Sequence, residues 1–380
     1  MQKKIYILQR ILPHYRTGFF NKLKNYYPGL KVFYGDTYKT EVLKNAEVND
    51  KDTFAKVKNH YFNKDGKIFY TPLFSRIVKE KPDIVVSVFN VGNLNIYLLF
   101  LLRYFLKYKL VLWSLGYDHL TGFYPDKILS HKIRLYLSQK ADAVIFYWDY
   151  GKKVVEKYSK KTSHYFVAPN TIDTDMHFAF KERFDIKGKE KIKAELEIKE
   201  NFIIIYVGRL IRDKEVDTLI KAYALIEKSN TDSRLIIIGD GPERKELESL
   251  ASRLEIKNIS FPGEILNQEI TGRYLYISDV FAMPGRLGNS VVHSFCYGTP
   301  VVSVDKGDFF HCEGISYIKE GFNGFLAEDR NIEDFYSKMN KIISDKNLSG
   351  NLRLNAFKTA KEECSLDKMV DGFRKALENL

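Results

Sequence analysis

Arg209 and Lys214 stand in the stretch FIIIYVGRLIRDKEVDTLIKAY, residues 202–223. An apolar run from Phe202 to Val207 is broken by Gly208, after which Val216, Leu219, Ile220, Tyr223 and Ile226 recur at helical spacing. That pattern predicts a strand covered on both faces, a charged turn, and an amphipathic helix. Both cations then fall where a strand ends and a helix begins. In an open α/β sheet ligands bind at such points, and the free N–H groups of the helix end favour an anion. Two added cations at that point fit a pyrophosphate. A solvated loop carrying ordinary Lys and Arg is the other reading of the same residues.

Further groups follow the same logic. Gly239, Asp240, Gly241 and Pro242 form a turn after a buried strand, small enough to admit a flat base against the backbone; an ordinary turn reads the same way, most of all for Asp240. In GRLGNS, Gly285 and Gly288 leave room for phosphate or ribose, and Asn289 or Ser290 can cap the helix that follows. His293 lies about one turn into that helix, as a ligand to the same group or as a structural histidine. Gly298, Thr299 and Pro300 end it. Asp173 and Asp175 form an Asp-x-Asp pair, which we reject as a metal site: it follows Pro169-Asn170 at a domain junction, and Arg209 and Lys214 already supply the positive charge a metal would bring. No other residues have metal-ligand spacing.

The elements that must position these groups alternate strand and helix along the whole chain, which predicts parallel, doubly wound sheets in an α/β protein. At 380 residues the chain is long enough for two such domains. We place them at 1–180 and 181–364, with a final amphipathic helix, 365–380, packing back on the first. Residues 37–66 read less clearly and leave room for short strands.

Charge divides the chain as well. Residues 1–185 hold 31 Lys and Arg against 17 Asp and Glu, whereas the remainder holds 29 against 31. The whole excess lies in the first half and implies an anionic partner there. An anionic membrane surface or lipid-linked substrate fits best; nucleic acid fits poorly, since no recognition-helix or RNA-binding motif is present. Cys296, Cys312 and Cys364 form no framework and fit a reducing compartment. The start of the chain does not read as a signal peptide. Leu94 to Trp113 is apolar but interrupted by Arg103, Lys107 and Lys109, so a helix and then a strand are expected rather than a membrane span. The expected location is cytoplasmic, peripheral on the inner face of a membrane. Phe19, Phe20, Lys22 and Lys24 of an early helix, and Leu98 to Leu102 with Arg103 and Lys107 of a later one, suit the headgroup region. The other reading is that the apolar members are buried on the sheet, as is expected for most of Leu98 to Leu102.

Four segments of the second half, in order, resemble the retaining GT-B glycosyltransferases of family 4: VGRLIRDKEVDTLIKAY, LIIIGDGPERKELESLA, ISFPGEI, and FAMPGRLGNSVVHSFCYGTPVVSV followed by EGFNGFLAE. ADAVIFY and VAPNTIDTD in the first half are also similar to that family. The resemblance implies two Rossmann-like domains facing a cleft, the first binding an acceptor and the second a nucleotide-diphosphate sugar built on UDP or GDP. It implies sugar transfer with retention, no cofactor, and a glycan or lipid-linked acceptor at the cell surface. Arg209 and Lys214 would stabilise charge on the leaving diphosphate. Gly208, Gly239, Asp240, Gly241, Pro242, Gly285, Gly288, Asn289, Ser290 and His293 would line the donor.

The chain also departs from the family and looks like a divergent branch. Counting back from Gly298, the second of the family's two donor-contacting glutamates falls on His293. The first falls on Gly285 or is lost in a shortened loop. Leu115 takes the register of the family's sugar-facing histidine; His119 or Asp118 is the substitute, or both are plain loop residues. ILPHYRTGFF lacks the usual glycine pair, so His14 and Arg16 would line the acceptor side, a surface loop being the other reading. A sugar-nucleotide epimerase on the same fold, and a non-catalytic module of this fold that binds membranes, are the rival readings.

Overall fold

The computed structural model describes residues 3–38, 45–307 and 309–380. It divides into two compact units, residues 1–173 with 366–380, and residues 174–365. The division falls at Asp173, earlier than the sequence reading placed it, because the segment after Asp173 folds as a helix of the second unit. With these limits the first domain holds 32 Lys and Arg against 17 Asp and Glu, the second 28 against 31.

In the first domain the strands are β1 (Ile5–Gln9), β2 (Leu30–Tyr34), β3 (Phe54–Lys56), β4 (His60–Tyr61), β5 (Phe69–Tyr70), β6 (Ile84–Val88), β7 (Lys109–Ser114), β8 (Ala143–Phe146) and β9 (Tyr165–Val167). Among the described residues, seven of them form one sheet in the order β3-β2-β1-β6-β7-β8-β9, with every pairing parallel; β4 and β5 pair separately and antiparallel. The helices are α1 (Thr17–Tyr26), α2 (Phe74–Glu80), α3 (Leu94–Leu106), α4 (Leu129–Lys140) and α5 (Asp149–Glu156). Alternate residues of a strand face opposite sides. Thus Ile5 and Ile7 join one core with Phe19, Phe20 and Leu23 of α1, while Tyr6 and Leu8 join another with Ile77 and Leu99.

The second domain opens with α6 (Thr174–Lys187) and α7 (Lys189–Glu195). Its strands are β10 (Phe202–Val207), β11 (Ser233–Ile238), β12 (Ile259–Gly263), β13 (Val280–Met283), β14 (Val301–Asp305) and β15 (Gly324–Glu328), ordered β12-β11-β10-β13-β14-β15 and all parallel. Its other helices are α8 (Val216–Ser229), α9 (Arg244–Arg253), α10 (Gln268–Ile277), α11 (Ser290–Cys296), α12 (Ile332–Ser344) and α13 (Lys346–Glu362). Both sheets are the doubly wound parallel kind, in which each buried strand feeds a helix.

The last helix, α14 (Leu366–Glu378), belongs to the first domain. Met369, Val370, Phe373, Ala376 and Leu377 are fully or almost fully buried there. The Phe373 ring lies 4.7 Å from those of both Phe19 and Trp113. A Cβ on Gly372 would sit 2.4 Å from the Val167 carbonyl oxygen, so only glycine lets the helix approach β9 this closely.

Helix surfaces correct one expectation. Phe19 and Phe20 are buried at 1% and 0% and cannot reach a headgroup. On α3 the reverse holds. Leu99 is buried, but Leu94, Tyr97, Leu98, Leu101, Tyr104 and Phe105 are exposed, the last two at 79% and 75%. The sheet is covered by a narrow strip of α3, and the rest of this apolar helix faces outward. No helix among the described residues is long and apolar enough to cross a membrane.

Phe373→Ala should remove a side chain that closes the first domain's core, at a cost of about 3–5 kcal/mol. Urea titration followed by tyrosine and tryptophan fluorescence checks this. A loss below about 1 kcal/mol would mean that α14 is not part of that core.

Candidate functional site

β10, β11 and β13 are neighbours running in the same direction, so the loops that follow them, residues 208–215, 239–243 and 284–289, gather at one sheet edge. Backbone hydrogen bonds join these loops. The Gly208 N–H donates to the Ile238 carbonyl (3.0 Å), Leu210 to Asp240 (2.9 Å) and Glu243 to Leu210 (3.1 Å). On the other side Gly285 donates to Lys214 (3.1 Å) and Arg286 to Asp213 (2.8 Å). The Tyr206 hydroxyl, buried under the turn, donates to the Arg209 carbonyl at 2.8 Å. Glu215 takes a left-handed conformation, φ 49°, as the chain enters α8, and its carboxylate is held 2.8 Å from the Lys306 ammonium.

The glycines explain how the loops come so close. A Cβ on Gly239 would lie 1.8 Å from the Gly208 oxygen, one on Gly241 2.3 Å from the Leu210 oxygen, and one on Gly285 2.3 Å from the Lys214 carbonyl carbon. The sequence reading gave this room to a base or a phosphate; in the folded chain neighbouring backbone fills it. Gly288 differs, since a Cβ there meets nothing within 4 Å. Asp240 and Pro242 lie exposed at the same edge, and the Asp240 carboxylate accepts from its neighbour's amide at 2.7 Å.

Three cations gather on this scaffold. Arg209 is exposed and makes no ion pair among the described residues. Lys214 donates its ammonium to the Arg286 carbonyl. Burial pushes the Lys214 pKa down; Asp213 opposes the fall, and the charges of Arg286 and Arg209 add to it. Arg286, which the sequence reading passed over, is the third. Its guanidinium sits 3.5 Å from the Asp213 carboxylate and 3.5 Å from the Cys312 sulfur. These loops carry Arg209, Arg212, Lys214 and Arg286 beside Asp213, Glu215, Asp240 and Glu243, and the charges of Arg209 and Arg286 reach the Lys214 ammonium.

Residues 188–359 match the family described as Glycosyl transferases group 1. The match falls within the second domain. An uncharacterized glycosyltransferase of Methanocaldococcus jannaschii is 24% identical over 83% of this chain and 84% of its own length. The lipopolysaccharide core biosynthesis glycosyltransferase LpsE of Rhizobium meliloti is 29% identical, spanning 46% of this chain and about half of its own length, 49%. Among solved structures, Anabaena HepE in complex with UDP and glucose aligns over 100% of both chains with a TM-score of 0.71 and 17% identity, a likeness of fold. The fold is GT-B.

Other parts of this glycosyltransferase group differ from what spacing suggested. Asn289 occupies the N-cap of α11 without a side-chain capping bond, and Ser290 turns its hydroxyl toward the Met283 sulfur at 3.8 Å. Neither caps the helix as expected. The His293 ring lies against α6, 4.3 Å from His177 and 5.8 Å from Tyr297. His311, also missed, fixes the 285–288 loop from behind: its Nδ1 accepts from the Leu287 amide (3.2 Å) while Nε2 meets the Val304 carbonyl (2.9 Å). Burial pushes its pKa down to about 4, which keeps the ring neutral in the role these bonds require. Glu313, buried at 5%, follows in the same segment. No periodicity marks His311; only its bond to the Leu287 amide does.

In the first domain, Asp118 accepts from the amides of Leu120 (2.8 Å) and Thr121 (3.1 Å), and its backbone pairs with Gly122. Burial raises its pKa, but these two amide bonds, the charge of His119 and the Thr121 hydroxyl together outweigh it and the net shift is downward. The carboxylate thus builds its own loop, with half-buried His119 next to it. His14 is exposed. Arg16 is not on the acceptor-facing surface that the sequence reading gave it. It is 7% exposed, stacks its guanidinium 4.2 Å from the Trp113 ring centroid, and donates to Gln9 (2.9 Å) and Asn170 (3.4 Å). A cation flanked by an aromatic face and two amide oxygens serves packing. Asp173 also packs internally, since a Cβ on Gly18 would lie 2.2 Å from its carboxylate oxygen.

Gly285→Ala should destabilise the second domain by about 1–3 kcal/mol, the usual range for overpacking. Gly288→Ala should stay within about 0.5 kcal/mol, as at open sites. Parallel urea denaturation of the two variants reads the difference, and equal losses would contradict the close approach of the 285 and 214 backbones.

Proposed function

We propose that this glycosyltransferase moves a sugar from a nucleoside-diphosphate sugar to a glycan acceptor with retention of configuration. The observation that carries this reading is the clustering of Arg209, Lys214 and Arg286 on loops whose positions are fixed by backbone hydrogen bonds. The donor's diphosphate would bind there. As the glycosidic bond breaks, negative charge grows on the leaving diphosphate, and cations already in place stabilise it without reorganising. The same leaving group assists deprotonation of the acceptor hydroxyl on the face it departs from. α11, which starts at this edge, supplies the remaining donor contacts through Gly288, Asn289, Ser290 and His293. UDP is the nucleotide favoured, supported by the UDP found in the similarly folded HepE. On the acceptor side we assign Asp118, His119 and His14. Relatives such as LpsE support a cell-surface glycan as the acceptor class.

Arg209→Ala and Lys214→Ala should each remove one charge-assisted contact, worth about 1.5–3 kcal/mol, and slow transfer roughly ten- to hundredfold. A panel of UDP- and GDP-sugars, scored for nucleotide release and for the anomeric configuration of the product, tests the assignment. Wild-type turnover in both variants, or an inverted product, would defeat it.

The acceptor is, in this reading, carried on a lipid and met at an anionic membrane surface, which places the chain peripherally on the inner face. The first domain's excess of Lys and Arg and the exposed face of α3 support that. Phe74 and Val78 of α2 are exposed beside α3, with Arg76, Lys79 and Lys107 exposed near them. Aromatic and basic groups together suit the headgroup region, and each basic residue there contributes about 1 kcal/mol, screened by salt. The full chain should co-sediment with anionic vesicles and be released by salt. The pair Tyr104→Glu and Phe105→Glu should abolish most of that binding. Equal binding to neutral and anionic vesicles, or no effect of the pair, would rule out this surface.

A further inference from the structure

A cavity of about 650 Å³ lies within the second domain between α6, α10 and α13. It is separate from the donor edge. Gly298 on its wall lies at the end of α11 remote from the 284–289 loop, and the carbonyls of Ser278 and Tyr276 beneath it precede β13. Its size is that of a small-molecule site.

The walls are cationic. Lys181, Lys189, Lys346 and Arg353 line the cavity, against a single carboxylate among the described lining residues, Asp185. The surrounding domain has more acidic than basic residues, so this concentration does not follow from composition. Arg353 is set in place by donating to the carbonyls of Ser278 (2.6 Å) and Tyr276 (3.0 Å). Lys189 is held by Asp279 at 2.7 Å, and Lys181 by Asp185 at 2.7 Å. Lys346 is exposed and makes no ion pair among the described residues. Tyr276 and Phe357 add aromatic faces, the Lys181 ammonium lying 4.6 Å from the Phe357 ring centroid.

The helix along one side leaves the space open. Asn347, Gly350, Asn351 and Leu354 follow one another at helical spacing on α13 and all line the cavity. Two are polar and one has no side chain. Glycine inside a helix costs about 1 kcal/mol relative to alanine, and here no close backbone approach accounts for it, since a Cβ on Gly350 meets nothing within 4 Å. A larger residue at that position would close the cavity.

We propose that this cavity binds a phosphate monoester on a sugar-sized body. Lys181, Lys346 and Arg353 take the phosphate, Asn347 and Asn351 take hydroxyl groups, and Tyr276 and Phe357 face the ring. Titration calorimetry on the full chain tests it, with glucose 1-phosphate, glucose, and dihexanoyl phosphatidic acid as probes. Saturable binding of glucose 1-phosphate and none of glucose is expected. Tighter binding of the phosphatidic acid would assign the ester to a lipid rather than to a free sugar phosphate. Lys346→Glu and Gly350→Trp should each weaken the phosphorylated probes at least tenfold and leave UDP binding unchanged. The proposal is overturned if neither phosphorylated probe saturates, if glucose binds as well as its phosphate, or if Gly350→Trp binds as the wild type does. UDP measured on the same samples reports the donor site separately, so failure of one site is not mistaken for failure of the other.

Discussion

The arrangement of the second domain's charged loops depends on one constraint, the fixing of the 208–215 turn between two neighbouring loops by a run of backbone hydrogen bonds. Gly239 and Gly241 allow contact on one side and Gly285 on the other, at distances no Cβ would permit. The Lys214 ammonium and the Arg286 carbonyl close the arrangement. Charges on flexible side chains lose much of their effect to reorganisation; charges on a backbone locked in advance do not. Glycine here serves the protein's own packing, and the room for a ligand is what remains in front of it. Gly285 occupies a packed position and His293 lies against His177. Arg209, Lys214 and Arg286 meet at this edge, with the Asp213 carboxylate beside Arg286.

Much of this was legible in the sequence, because the strongest signals are local. An apolar run, a glycine and a 3.6-residue period were enough to read β10, the turn and α8, and the resemblance of four ordered segments was enough for the fold. What the sequence did not reveal were the contacts between distant segments. Arg286, His311 and Glu313 join the site only through the packing of loops after three different strands. Arg16 read as a group of an open loop, yet it is buried against Trp113. The long helix α6 escaped notice because its buried residues, Thr174, His177 and Phe184, do not form a regular apolar stripe. The exposed side of α3 misled in the opposite direction, since an apolar helix in a doubly wound fold is ordinarily taken for core.

The two domains divide the charge as well as the elements. The first carries a basic excess and an outward apolar helix. The second is slightly acidic overall but brings Arg209, Lys214 and Arg286 near one another after β10 and β13, and lines the cavity beside α13 with four cations against one carboxylate. Net charge alone would have hidden both, since local geometry decides where a field is focused.

The central claim is that Arg209 and Lys214 act on a diphosphate and not on the rest of the nucleotide. The direct measurement is the affinity of UDP and of uridine for the wild type and for Arg209→Ala, by titration calorimetry at fixed ionic strength. The account predicts that the substitution weakens UDP by roughly ten- to hundredfold while uridine is unaffected. Equal losses for both ligands, or none for UDP, would contradict it.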